Sequence, residues 1–240
     1  MPHTLFISDL HLRATQHRIT ALFLDFMQQQ APQAEALYIL GDLFEYWAGD
    51  DDLDQPFHQK ICSAICELSH SGTAVFIMRG NRDFLMGQAL ADACGATLLG
   101  DPTLIDLYGH PTLLSHGDTL CTDDVDYQNF RKMVRDPHWQ AQFLAQPLAE
   151  RRAQIEALRT KSNQEKKQKA TSIMDVNTGA VCALLREKNY PVIIHGHTHR
   201  PAHHLIHLDD FTCHRWVLSD WDDKVRILRA SPDGIEFVNL

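Results

Sequence analysis

Apolar residues along the chain fall into two alternating rhythms. Thr4 to Ser8 is a short β-rich run, and Arg18 to Gln30 follows with Ile19, Leu22, Phe23, Phe26 and Met27 at helical spacing. The unit recurs: Ala36 to Leu40 reads as a strand, Phe57 to His70 carries Phe57, Ile61, Ile65 and Leu68 on one helical face, and Thr73 to Met78 is a third strand. Extended runs return at Thr112 to Ser115 and Pro191 to Ile194. A strand-rich tail then covers Leu205 to Leu208, Thr212 to Leu218, Val225 to Leu228 and Ile235 to Val238. Alternating βα units that lead into consecutive strands predict a layered α/β sandwich. From about Asp124 to Lys188 the β signal disappears and helical spacing dominates, which marks a helical insertion within a single domain spanning 1–240.

Charge sets that insertion apart. Arg131 to Lys169 holds ten basic residues against four acidic ones, inside a chain whose formal net charge is −9. Two readings stay open: a solvated helical cap, or a positive lid over an anionic ligand or beside an anionic membrane surface. Tyr127, Phe130, Val134, Trp139, Phe143, Leu144 and Leu148 form an apolar stripe on the same insertion, either core or a groove for acyl chains, with Arg151, Arg152 and Arg159 near anionic headgroups in the second case. The acidic balance gives no global nucleic-acid footprint. No apolar run approaches the ~18–20 residues of a membrane helix, and Met1 to Asp9 lacks the pattern of a secretory leader, so a cytoplasmic protein is expected. Six cysteines without a Cys-x-x-Cys pair predict reduced, mostly buried thiols.

Fifteen histidines are the compositional anomaly, and their placement carries the chemistry. Five apolar runs end in metal-ligand side chains: Asp9-Leu10-His11, Gly41-Asp42, Gly80-Asn81-Arg82-Asp83, His116-Gly117-Asp118 and His195-Gly196-His197-Thr198-His199. Carboxyl ends of strands form the ligand crevice of α/β sheets. Oxygen and imidazole donors without thiolate suit Mn²⁺, Fe²⁺, Mg²⁺ or Zn²⁺. Alternation along an extended chain puts Asp9 with His11, and His195 with His197, on one face. Asp50-Asp51-Asp52 reads as a solvated loop or a pocket entrance, and the tail histidines His203, His204, His207 and His214 as structural.

This ordered set of five blocks resembles the calcineurin-like metallophosphoesterases. The resemblance implies a sandwich of two β-sheets flanked by helices that holds two divalent metals. Asp9, His11 and His197 would bind one ion, Asn81, His116 and His195 the other, with Asp42 bridging both, and His199 would support the ligands from behind. It makes Asp42, Arg82 and His116 catalytic in phosphoester or phosphoanhydride hydrolysis. Arg82 stands where the wider family has His. An arginine cannot act as a general acid, but it grips phosphate oxygens, which suits a leaving group that needs no proton.

Longer stretches, including Leu40 to Glu45, Gly80 to Leu85, His116 to Asp124, Ile173 to Asn177 and His195 to Pro201, are similar to one branch of that family, the UDP-2,3-diacylglucosamine pyrophosphatases of lipid A biosynthesis. That resemblance implies water attack at the α-phosphorus with Mn²⁺, giving UMP and 2,3-diacylglucosamine 1-phosphate. It implies substrate contacts at Asn81, Arg82, Asp124, Ser162, Lys166, Lys169 and His195, a lipid-linked nucleotide-sugar substrate, and peripheral association with the cytoplasmic face of the inner membrane. A broader phosphodiesterase or phosphatase, and a binding module that has lost its chemistry, are the competing readings.

Overall fold

The structure is a computed structural model that describes residues 1–166, 175–222 and 225–240, with 161–166 described by backbone alone. Its first sheet has the strand order β11-β10-β1-β2-β3-β4, formed by β1 (Thr4–Ile7), β2 (Ala36–Leu40), β3 (Ala74–Met78), β4 (Thr97–Leu99), β10 (Arg226–Ser231) and β11 (Gly234–Asn239). The second has the order β5-β6-β7-β9-β8, from β5 (Thr103–Leu107), β6 (His110–Ser115), β7 (Val192–His195), β8 (Ala202–Leu208) and β9 (Phe211–Val217). Strands β1, β2 and β3 run parallel in register, Phe6 opposite Tyr38 and Tyr38 opposite Phe76, and β6 runs parallel to β7 with Ser115 opposite His195. All five carboxyl ends that carry the motifs therefore open on the same side of the sandwich.

The central strands β1, β2 and β3 are apolar almost throughout because both faces of their sheet are covered, whereas the edge strands β5, β8 and β11 carry polar, exposed positions. Phe6, Leu40, Met78, Leu114, Ile194, Trp216 and Leu228 fill the space between the sheets. Leu5 and Ile7, one residue out of phase, point the other way into α1 (His17–Gln29) and α2 (Pro56–His70), where Phe23, Phe26, Ile61 and Ile65 meet them. On the far side, Leu113 and Ile193 pack against Val181 and Leu185 of α7 (Thr178–Glu187). Sequence periodicity does not reveal α3 (Gln88–Ala93), β4 or β5, which are short and lack a full repeat.

The helical stretch expected over 124–188 divides in two. Helices α4 (Val125–Val134), α5 (Pro137–Leu144) and α6 (Leu148–Lys166) form a cap beside the carboxyl ends of the strands, whereas α7 belongs to the sandwich body. Asp124 caps α4 by accepting from Tyr127 N–H, and Asp136 caps α5 by accepting from Trp139 N–H. The six cysteines are free thiols, four of them buried.

The cap arginines correct one expectation. Arg151, Arg152 and Arg159 do not project toward a headgroup layer; they turn inward and pair with Asp51, Asp52 and Glu45 of the loop after β2. Arg151 is buried and also donates to Ala48 O and to Gln146 O at 3.0 Å. The Asp50-Asp51-Asp52 turn is correspondingly a latch, not a solvated loop. Asp50 accepts from Trp47 Nε1 at 3.0 Å and from Gly87 N–H at 2.9 Å, and Asp52 is fully buried. Both features are long-range pairings between segments about one hundred residues apart, which periodicity cannot register.

Candidate metal centre

Each motif residue sits just past a strand, where the chain turns sharply. Asp9, His11, Asp42, His197 and His199 all adopt positive φ, between 50° and 70°. Non-glycine residues hold this left-handed region only where the surrounding fold enforces it, and such positions cluster at functional sites. Two glycines let the turns close on one another. Gly41 has φ +90°, and a Cβ there would stand 2.5 Å from His116 Nδ1 and 2.6 Å from Gly80 Cα; a Cβ on Gly80 would collide with Asp42. Asp83 ties the same loops, accepting from Gly80 N–H at 2.7 Å and from Asp42 and Phe44 N–H at 3.3 Å.

Two groups of donor atoms converge. Asp9, His11 and His199 offer atoms within 4.8 Å of one another, and so do Asp9, Asp42 and His116. Asn81 joins them: its Oδ1 lies 2.9 Å from His116 Nε2 and 2.8 Å from His197 Nδ1. His116 donates its other ring nitrogen to Leu40 O at 2.9 Å, which leaves Nε2 directed at the cluster. His11 Nε2 stands 3.8 Å from Asp42 Oδ2 and 3.3 Å from His199 Nε2.

His195 is in neither of these two groups, although Asp9 and His116 are near enough to act on its charge. Its ring is completely buried, Nδ1 donates to Gly196 O at 2.9 Å, and Nε2 accepts from Arg215 Nη1 on β9 at 3.1 Å. The expected pairing of His195 with His197 assumed that the strand continues, but β7 ends at His195. The chain then turns through Gly196, and His197 and His199, both at positive φ, face Asn81 and Asp9 instead. The Gly-His-x-His spacing of 196–199 was the signal that identifies this pair.

Electrostatics fit a cation site. Burial pushes the Asp42 carboxyl up to about 7, with Asp83 and Asp9 adding to the rise against the pull of His116. Burial opposes charge on His116, yet Asp42, Asp118 and Asp9 hold its imidazole up to about 9. Burial likewise opposes charge on His199, but Asp220 and Asp9 raise it to about 10. Asp9 feels the same desolvation and is nonetheless held far below the carboxylate range by His199 and its neighbours. Protons on the imidazoles thus balance buried carboxylates, the role that divalent cations take in such clusters. Asp9 Oδ1 is buried and makes no well-aligned hydrogen bond, only the 3.4 Å ion pair to His199 Nε2, which leaves it open to a cation. His195 goes the opposite way: burial, then Arg215, lowers it to about 4, so its imidazole is neutral, the form in which histidine ligates a metal.

The remaining expected residues distribute unevenly. Arg82 lines the cavity over the cluster and its backbone N–H donates to Asp42 Oδ1 at 2.8 Å. Asp124 is the cap of α4. Ser162 and Lys166 fall on the end of α6, where the side chains lie outside the described residues, and Lys169 lies outside them altogether. Of the apolar stripe, Val134 and Phe143 are buried, Trp139 stacks on Phe143 at 4.9 Å, and Tyr127 stacks on His197 at 5.9 Å while its hydroxyl donates to Asp118 at 2.6 Å. Val125, Met133, Leu144 and Leu158 of the cap stay exposed. Among the described residues no helix is long and apolar enough to cross a membrane.

Comparisons with known proteins show which family the chain belongs to. Residues 2–201 match the calcineurin-like phosphoesterase family. The UDP-2,3-diacylglucosamine hydrolase of Aromatoleum aromaticum is 53% identical over 230 residues, 96% of this chain and 94% of that one. The Cellvibrio japonicus protein of the same name is 49% identical over 237 residues, 99% and 98% of the two chains. A solved archaeal phosphodiesterase superposes over 99% of both chains with a TM-score of 0.50 at 12% identity, a likeness of fold alone. This chain belongs to the calcineurin-like phosphoesterase family and, within it, groups with the UDP-2,3-diacylglucosamine hydrolases.

Proposed function

We propose that this protein hydrolyses the pyrophosphate bond of UDP-2,3-diacylglucosamine, with water attacking the α-phosphorus to release UMP and 2,3-diacylglucosamine 1-phosphate in lipid A biosynthesis. The observation that carries this reading is the convergence of Asp9, His11, Asp42, Asn81, His116, His197 and His199 beneath Arg82, in a chain about half identical to hydrolases of that name.

Asp9, His11 and His197 would hold one divalent ion and Asn81, His116 and His195 a second, with Asp42 between them and His199 beside Asp9 and His11. Mn²⁺ is the proposed metal. Oxygen and imidazole donors suit it, and availability in the cell selects among its competitors. Such a pair supplies Lewis acidity toward phosphate oxygens and a water of lowered pKa. His116 Nδ1–H to Leu40 O and His197 N–H to Asp9 Oδ2, at 2.9 Å each, hold these side chains in place before any ligand arrives. Arg82 keeps its positive charge through the reaction and stabilises the negative charge that grows on the phosphoryl oxygens. The departing sugar phosphate leaves as an anion, so no side chain need donate a proton to it.

The cap would cover the lipid half, with Asp124, Ser162, Lys166 and Lys169 on the sugar and phosphate. Peripheral association with the cytoplasmic face of the inner membrane is supported by the exposed Val125, Met133, Leu144 and Leu158 on the cap helices, not by Arg151, Arg152 and Arg159, which are paired within the protein.

Hydrolysis in ¹⁸O water by chelator-stripped protein, with and without added Mn²⁺, tests the reading. Label in UMP only when Mn²⁺ is present is the expected result. Label in the lipid phosphate, or turnover confined to simple diesters, would overturn it.

A further inference from the structure

Four histidines of the strand-rich tail, His203, His204, His207 and His214, lie outside the metal centre, and none of them lines the cavity that opens over it. All four belong to the antiparallel pair β8 and β9, with β8 at the edge of the second sheet. Register sorts them by face. His203 stands opposite Trp216, Leu205 opposite His214 and His207 opposite Thr212, so alternation puts His203, His207 and His214 on one face and His204 on the other. The first face begins at Trp216, buried between the sheets, and runs outward to β8, where His203, Leu205 and His207 are exposed.

Two imidazoles of this face are already paired. His203 Nε2 lies 2.9 Å from His214 Nδ1, with the ring planes 15° apart. His203 also stacks on the Trp216 indole, centroids 3.8 Å apart at 7°, and Trp216 is held edge-on by Phe237 at 5.5 Å. This stack fixes one ring of the pair in advance, so little side-chain freedom is left to lose on binding a ligand. Burial, then His214 and His204, keeps the His203 imidazole below its ordinary range and therefore neutral, the form that ligates metals.

The separation of the two nitrogens matches a shared coordination shell. Imidazole nitrogens bound to one ion at ~2.0–2.1 Å and at a right angle stand ~2.9 Å apart, the angle that square-planar and octahedral ions require. In the neutral pair one ring donates its N–H to the other. For an ion to enter, that proton moves to the far nitrogen of the same ring, and the exposed side chains turn to aim both lone pairs. Exposed Leu205, on the same face, contributes no competing charge.

We propose that His203 and His214 form a surface metal site separate from the catalytic cluster, a two-imidazole chelate for a borderline divalent transition-metal ion such as Ni²⁺, Cu²⁺ or Zn²⁺, with water in the remaining positions. Neither ligand is a carboxylate, so Mg²⁺ and Ca²⁺ are poorly held, and Mn²⁺ stands lowest in affinity among the first-row ions.

The test is a titration of Ni²⁺ into Mn²⁺-saturated protein, followed by tryptophan fluorescence and by equilibrium dialysis. A bound ion with a part-filled d shell on His203 lies against the Trp216 ring and quenches it. Saturable quenching is expected. His203→Ala and His214→Ala should each raise the half-quenching concentration at least about ten-fold and remove one bound Ni²⁺, while His204→Ala, on the opposite face, matches the parent. Retained Mn²⁺ content reports that the variants are folded. Ni²⁺ that enters the catalytic cluster instead would act on Trp221, which lines the cavity there, and would give the same curve in all four proteins. That result would overturn the site, as would a loss in His204→Ala as large as in His203→Ala, or no quenching at millimolar Ni²⁺.

Discussion

Arg159 on α6 pairs with one oxygen of Glu45, and the other oxygen of the same carboxylate stands 3.6 Å from His11 Nδ1. One acidic side chain thereby links the cap to a residue of the metal cluster. Ligating histidines commonly aim the second ring nitrogen at a carboxylate, and such partners are worth ~10–100-fold in metal affinity. Glu45→Gln and Arg159→Ala are each expected to weaken Mn²⁺ binding about ten-fold, and the double substitution to weaken it no further, because both act through one contact. Free Mn²⁺ measured by electron paramagnetic resonance checks this. Fully additive losses would separate the cap from His11.

His199 and His195 make different predictions although four residues apart. His199→Ala removes a ring that lies 3.4 Å from Asp9 and 3.3 Å from Asp220 and is expected to weaken metal binding about ten-fold with both ions still bound at saturation. His195→Gln alters a buried ring that bonds Gly196 and Arg215 and would ligate the second ion, so it is expected to halve the bound metal and cut turnover by on the order of 10² or more. Metal analysis together with melting curves distinguishes the two. Retention of both ions in a folded His195 variant would contradict the assignment.

Acid sensitivity traces to Asp118. Burial would raise its carboxyl, but His116, His197, Arg131 and the Tyr127 hydroxyl hold it well below the usual range. A folded-state value below the unfolded ~3.9 means that this stabilisation is complete above that pH and is lost as pH falls through about 4 and beneath it. Asp118→Asn is expected to cost about 3 kcal/mol at pH 7, since Arg131 then loses its buried partner, and to flatten the acid limb of stability below pH 4. Thermal melts of metal-free protein between pH 3 and 7 read this directly; an unchanged acid limb would exclude Asp118 as its source.

The latch between cap and body is likewise testable. Arg151 is buried and pairs with Asp51 while bonding Ala48 O and Gln146 O, so Arg151→Ala is expected to destabilise the docked cap by about 3–5 kcal/mol. Limited proteolysis would then cut between α5 and α6 at a rate well above that of the parent, with the sandwich body retained. Equal cleavage rates would show that the cap docks without this arginine.

Metal removal is expected to lower the melting temperature by several degrees, because ions that bind the folded cluster alone stabilise it. The drop should shrink in Asp42→Asn, which loses the carboxylate between the two donor groups. A chelator-insensitive melting temperature in the parent protein would argue against a loaded centre.

Sequence alone determined the sandwich, the parallel βα units and the five motif positions, because strand alternation and helical spacing are local consequences of which faces are buried. Phe6 and Ile7 show this: adjacent residues, both apolar, committed to opposite faces of one sheet. Sequence also identified Asp9, His11, Asp42, Asn81 and His116, each at a strand end beside a short turn. The tertiary structure decided how the three histidines within five residues are aimed, His197 at Asn81 and His199 at Asp9. That choice depends on where β7 stops and on the left-handed turns at His197 and His199, which are imposed by Asp9 and Asn81 from distant parts of the chain. It also decided the fate of the cap arginines. Their charge was legible, but their partners Asp51, Asp52 and Glu45 lie about one hundred residues away, and only folding brings such opposite charges together.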